Sequence, residues 1–220
     1  MTYTGSPRDL ATLAHELGHA LHFYLGKGQN AFNHEPSLPL CETASVFGEM
    51  LLTRKLLSSP VPRKAKISLL ARIIEDMLNT VFLQNAYVSF ERDAYAALAT
   101  RDLTLPDASS LWLKQLEPVY GDAVRLSEEM SYMWLGIPHF IHTRFYCYAY
   151  TFGMLLSLSL YQQYEKEGKS FLPKFKHLLT RAGSASPMEL VKPFGIKLED
   201  PAFWRQGLDV IAGYVRELEK

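Results

Sequence analysis

The chain has only two cysteines, Cys41 and Cys147, far apart and without a CxxC spacing. This usage excludes a disulfide framework and is that of a protein from a reducing compartment. Neither charge sign is in excess, with 23 Lys+Arg against 23 Asp+Glu. There is therefore no overall electrostatic case for binding nucleic acid or an acidic membrane surface. The most apolar run, Phe152 to Leu160, is broken by serines and is too short to span a bilayer. No basic segment followed by an apolar stretch opens the sequence, so no signal peptide is expected, and the expected location is the cytoplasm. Alternating strand patterns, internal repeats and low-complexity tracts are also lacking.

What remains is helical periodicity. With 220 residues, 48% hydrophobic and 21% charged, the chain can build one sizeable core or part of a larger domain. The pattern predicts a first helix from Ser6-Pro7, a polar loop over Gly26 to Pro39, and a second helix over Leu40 to Leu57. A long amphipathic helix follows from Arg63 to Ala99, then a shorter one near Ser109 to Val119. After Gly136-Ile137-Pro138 an apolar helix runs from near His142 to Gly168. Helices near Phe171 to Arg181, Pro187 to Pro193 and Pro201 to Glu219 complete an all-α fold, with no obvious internal boundary between residues 1 and 220.

The informative stretch of the first helix is Thr12-Leu13-Ala14-His15-Glu16-Leu17-Gly18-His19-Ala20-Leu21-His22. His15 and His19 are four residues apart, so both imidazoles lie on one helical face and can reach one zinc ion. Glu16 projects about 100° round from His15, beside the metal, where its carboxylate can take a proton from water. Ser6 is a candidate N-cap, with proline at the first helical position and Asp9 three residues after the cap. His22 extends the histidine face but cannot join the same ion with good geometry, and it reads as a packed or partly exposed histidine. His34 and His177 sit in polar settings without an assigned role.

A catalytic zinc needs a third protein ligand and an open position. Leu40-Cys41-Glu42-Thr43-Ala44-Ser45-Val46-Phe47-Gly48-Glu49 supplies the candidates. Glu42 lies far enough beyond His19 for a loop and a returning antiparallel helix. Ala44, Ser45 and Gly48 are small enough to let that helix pack close to the first. Glu42 is expected as the ligand. Glu49, two turns on and on nearly the same face, is expected behind it, accepting a hydrogen bond from a ligand imidazole and fixing its tautomer. The competing reading makes both glutamates solvent-facing.

Thr4-Gly5, the run Asp9 to His19 and the run Glu42 to Glu49 together resemble the catalytic part of the oligoendopeptidase F group. That group belongs to the thimet-oligopeptidase-like (M3) zinc peptidases. The resemblance implies one zinc per chain, bound by His15, His19 and Glu42, with Glu16 as general base. It covers almost the whole sequence, but only the C-terminal catalytic part of a typical member, so the helical N-terminal lobe of the family is expected to be absent. An apolar face left uncovered would then favour self-association or a partner chain that supplies that lobe.

Pro138-His139-Phe140-Ile141-His142-Thr143-Arg144-Phe145-Tyr146-Cys147-Tyr148-Ala149-Tyr150 is the second informative stretch. Tyr146, Tyr148 and Tyr150 are two apart, so on one helix they point in different directions. By itself an aromatic-rich helix is more often core than site. The family carries a histidine and a Tyr-x-Tyr segment here that face the zinc and the substrate. Carried over by motif, His139 and Tyr148 are the expected oxyanion donors, with Tyr146 in reserve and His142 unassigned.

The expected function is a zinc endopeptidase acting on short peptides, the restriction to oligopeptides coming from the resemblance. The rival is a zinc-binding but catalytically weak subunit or peptide-binding module. An intact Glu16 argues against the rival, since a structural zinc site needs no base.

Overall fold

The structure, a computed structural model, describes residues 5–220. Eleven α-helices and several short helical turns occur among the described residues, which contain no strand. Thr4, part of the N-terminal motif, lies outside them. The chain forms two compact units. One is built from the segment ending at Met77 together with the segment starting at Phe152, and the other is Leu78–Thr151.

In the first unit, α1 (Pro7–Gly26) opens with the expected cap. Ser6 Oγ accepts from the Asp9 backbone N–H, and the Ser6 N–H donates to the Asp9 carboxylate, both at 3.1 Å. A short α2 (Leu38–Cys41) and then α3 (Thr43–Leu57) replace the single expected helix. The break falls on Glu42, whose φ of −84° and ψ of −1° lie in the sparsely populated bridge between helix and extended backbone. Its carbonyl still accepts from the Val46 N–H at 3.0 Å, so Glu42 caps α3 rather than lying inside it.

α4 (Arg63–Leu78) completes the first segment of this unit. From Phe152 onward α8 (Tyr148–Glu167), α9 (Leu172–Arg181), α10 (Pro187–Val191) and α11 (Pro201–Leu218) supply the second. Leu156, Leu158 and Leu160 are all fully buried, so α8 here is enclosed on several sides. That explains an apolar run without helical alternation. Its serines are tolerated because Ser157 and Ser159 donate to the carbonyls of Thr43 and Leu155. Phe47 anchors the core among Tyr161, Tyr164, Phe171 and Phe175, with ring centroids 4.4–5.9 Å apart.

The second unit begins where the long expected helix changes pitch. A π-helical turn at Asn79–Leu83 separates α4 from α5 (Gln84–Leu98). The Thr151 hydroxyl lies 3.2 Å from the carbonyls of both Thr80 and Val81, serving oxygens that this turn loosens. α6 (Leu105–Tyr120) starts earlier than expected because Thr104 and Asp107 form a capping box. Phe90, Trp112 and Leu116 form the core of this unit, and the Trp112 indole donates to the Met130 carbonyl at 3.0 Å. α7 (His139–His142) is one turn long. α8 begins at Tyr148, later than expected, because Phe145 has φ = 55° and cannot continue a right-handed helix.

Candidate active site

α1 and α3 approach so closely that no side chain fits between them at two points. A Cβ added at Gly18 would lie 2.4 Å from the Ala44 carbonyl oxygen, and one at Gly48 would lie 2.8 Å from the Ala14 carbonyl oxygen. Ala44 and Gly48 were legible as small contact residues. Gly18, inside the His-Glu-x-x-His motif itself, is the one that sets the spacing. This contact brings the start of α3 against the histidine face of α1.

Three donor atoms converge there. His15 Nε2 and His19 Nε2 are 3.0 Å apart, and Glu42 Oε2 is 3.3 Å from the first and 3.4 Å from the second. A zinc ion with bonds of about 2.0–2.1 Å sets tetrahedral ligand atoms about 3.3 Å apart, so the triangle has the size of one face of such a site. His15, His19 and Glu42 form the one group of three or more His, Cys, Asp or Glu side chains among the described residues suited to hold a metal ion. Their side chains are 28%, 25% and 21% exposed, so solvent reaches the site. The residues present therefore fit a catalytic metal with three protein ligands and an open side.

The surroundings hold these atoms in place. Glu49 Oε1 lies 2.6 Å from His15 Nδ1, which commits Nδ1–H to the carboxylate and turns Nε2 toward His19 and Glu42. Ser45 Oγ donates to Glu42 Oε2 at 2.7 Å, a contact that sequence reasoning missed although Ser45 is three residues after Glu42. α8 backs the carboxylate from behind: a Cβ at Gly153 would lie 3.0 Å from Glu42 Cβ. Hydrogen bonds to Glu42 and then Glu49 raise the His15 pKa to about 10, against the effect of burial. Burial pulls the Glu42 carboxyl upward, but hydrogen bonds with His15 and Ser45 outweigh it and hold its pKa at about 2. Glu16 is exposed on α1, one residue from His15.

In the second unit His139, Tyr146 and Tyr150 form a cluster. The His139 ring stacks on Tyr146 at 5.7 Å and meets Tyr150 edge-on at 5.8 Å, while its Nε2 lies 3.2 Å from the Tyr150 hydroxyl. Tyr146 and Tyr150 are themselves 5.1 Å apart. Tyr148, the first choice by motif, is 44% exposed and outside this group. Tyr150 was missed; its four-residue spacing from Tyr146 was the available signal. His22 is buried at 1% exposure, as a packed histidine rather than a further donor.

The sequence profile of peptidase family M3 matches residues 1–210. An oligoendopeptidase F homologue of Borreliella burgdorferi is 28% identical over 218 residues, 98% of this chain and 37% of that protein. The plasmid-encoded oligoendopeptidase F of Lactococcus lactis subsp. cremoris is 29% identical, over 96% of this chain and 35% of its own length. The crystal structure of oligoendopeptidase F from Enterococcus faecium superimposes with a TM-score of 0.83 at 25% identity, over 96% of this chain and 39% of that one. The chain thus spans little more than a third of the length of these relatives. The match takes in the motif helix, Glu42 and the tyrosine segment alike: the chain belongs to peptidase family M3.

Proposed function

We propose that this chain is the catalytic part of a zinc endopeptidase that hydrolyses short peptides, with 1–220 working as one catalytic domain. The convergence of His15 Nε2, His19 Nε2 and Glu42 Oε2 within 3.4 Å carries the reading. One zinc ion held by these three would polarise the scissile carbonyl and acidify water, which is the chemistry that peptide hydrolysis lacks in solution. Glu16 takes the proton of the water that attacks the carbonyl carbon, and delivers it to the amine nitrogen as the C–N bond breaks. Glu49 keeps Nδ1 of His15 protonated so that Nε2 stays directed at the metal. His139 and Tyr146 donate to the oxyanion, Tyr146 being preferred to Tyr148 because it stacks on His139. The relatives' names supply the substrate class, and two free cysteines suit work in the cytoplasm. No described helix is long and apolar enough to cross a membrane.

The test pairs metal analysis with a quenched-fluorescent peptide assay. His19→Ala should lose the zinc. Glu16→Gln should keep one zinc per chain while hydrolysis falls by about 10²–10⁴. Zinc retained in His19→Ala would place the site elsewhere. Zinc bound by a wild-type chain that cleaves no peptide would favour the rival reading, a binding module.

A further inference from the structure

Glu91, on α5, is 2% exposed. One carboxylate oxygen accepts the backbone N–H of Phe145 at 2.9 Å, and the other is buried without a hydrogen-bond partner among the described residues. A carboxylate is costly to bury, and packing alone would be served better by an apolar side chain of the same length. The residue it grips is unusual in its own right. Phe145 has φ = 55°, a left-handed conformation that a bulky side chain rarely adopts and that persists only where its surroundings impose it. α5 imposes it at two points, since the Phe145 ring also packs on Tyr95, one turn beyond Glu91 on the same helical face.

The reversal at Phe145 decides how the next residue leaves the turn. Tyr146 departs toward His139 and stacks on it, and its carbonyl accepts from the Ala149 N–H at 2.9 Å where α8 begins. We propose that Glu91 is a positioning residue for the oxyanion donors: by holding Phe145 in its left-handed turn it aligns Tyr146 with His139. The inference rests on the reading of His139 and Tyr146 as those donors. In this arrangement Glu91 acts through the backbone of Phe145, whose N–H it accepts.

The test uses Glu91→Met, which keeps length and loses the acceptor, and Glu91→Gln, which keeps an acceptor oxygen. The first readout is the His139 ring-proton NMR signal of the zinc-free protein, assigned with His139→Gln and shifted by the tyrosine ring stacked on it. Glu91→Met should move this signal to its position in Tyr146→Leu, and Glu91→Gln should leave it near wild type. In the peptide assay Glu91→Met should lower kcat by about tenfold or more with KM changed less than about twofold. Glu91→Gln should stay within about threefold. Adding Phe145→Gly to Glu91→Met should restore the His139 signal, because glycine adopts positive φ without help. That double variant also decides the matter should Glu91→Met alone not fold. An unmoved His139 signal in Glu91→Met, equal losses in the Gln and Met variants, or no rescue by glycine would each overturn the proposal. If the signal moves as expected while Tyr146→Phe hydrolyses peptide at the wild-type rate, the oxyanion assignment fails and the positioning by Glu91 stands.

Discussion

At His22 the imidazole is 1% exposed, and burial, with the His19 imidazole nearby, lowers its pKa to about 4. The unfolded chain binds a proton there near pH 6.5, and the folded chain only near pH 4. Its contribution to stability is therefore intact above pH 6.5 and is lost as pH falls toward 4. Between pH 7 and pH 5 wild type should lose about 2 kcal/mol more than His22→Gln, read from urea unfolding of the zinc-free proteins. Parallel pH curves for the two would show that His22 is not buried neutral. Among the tyrosines, Tyr146→Phe should lower kcat by roughly 10²–10³ with little change in KM, and Tyr148→Phe should stay within a few-fold of wild type. The reverse result would return the role to Tyr148. That His15, His19, Glu42 and Glu49 come together was legible, because helical spacing puts the two histidines on one face and the small residues of α3 let it pack close. Which tyrosine rings meet His139 was not legible, because their directions depend on where α8 starts. That start is fixed by the backbone of Phe145, whose side chain gives no hint of a left-handed turn.

At the scale of elements, the contact of α1 with α3 matters more than either helix alone. Gly18→Ala would drive a methyl group into the backbone at Ala44 and Ser45, which can yield only if the helices separate. We expect a loss of about 2 kcal/mol or more of stability, with weakened zinc affinity because Glu42 rides on α3. Gly28→Ala, where nothing lies within 4 Å, is the control and should change neither. Undiminished zinc affinity in a folded Gly18→Ala protein would show that the close approach does not hold the ligands. The order of the long helices followed from periodicity and proline positions, but not the π-helical turn that divides the expected Arg63–Ala99 helix into α4 and α5. The break at Glu42 did not, because one residue in the bridge region leaves the apolar pattern of α2 and α3 continuous. Its advantage is chemical: as the N-cap of α3, Glu42 sits at the positive end of a helix, which favours its carboxylate.

For the molecule as a whole, the first unit carries several exposed large apolar side chains on α1. α1 is apolar on most sides yet buried mainly along the Gly18–His22–Gly26 stripe, with Leu17 59%, Leu21 47% and Tyr24 63% exposed. These residues border a groove of about 550 Å³ shared with α3 and α9 and lined by Phe47, Leu51 and Phe175. We expect chelator-sensitive but inefficient cleavage by the 220-residue chain, together with self-association that Leu17→Glu/Leu21→Glu relieves in sedimentation experiments. A strictly monomeric chain with kcat/KM of about 10⁴ M⁻¹s⁻¹ or above would contradict this. The hydrogen bonds from Thr151 to Thr80 and Val81 have a consequence of another kind. They tie the exit of the second unit to its entrance, so that the unit is a closed excursion from the chain that carries His15, His19 and Glu42. Insertions and deletions inside such an excursion leave its two ends where they were. Evolution, or an engineer, can therefore rewrite its middle without moving His15, His19 or Glu42.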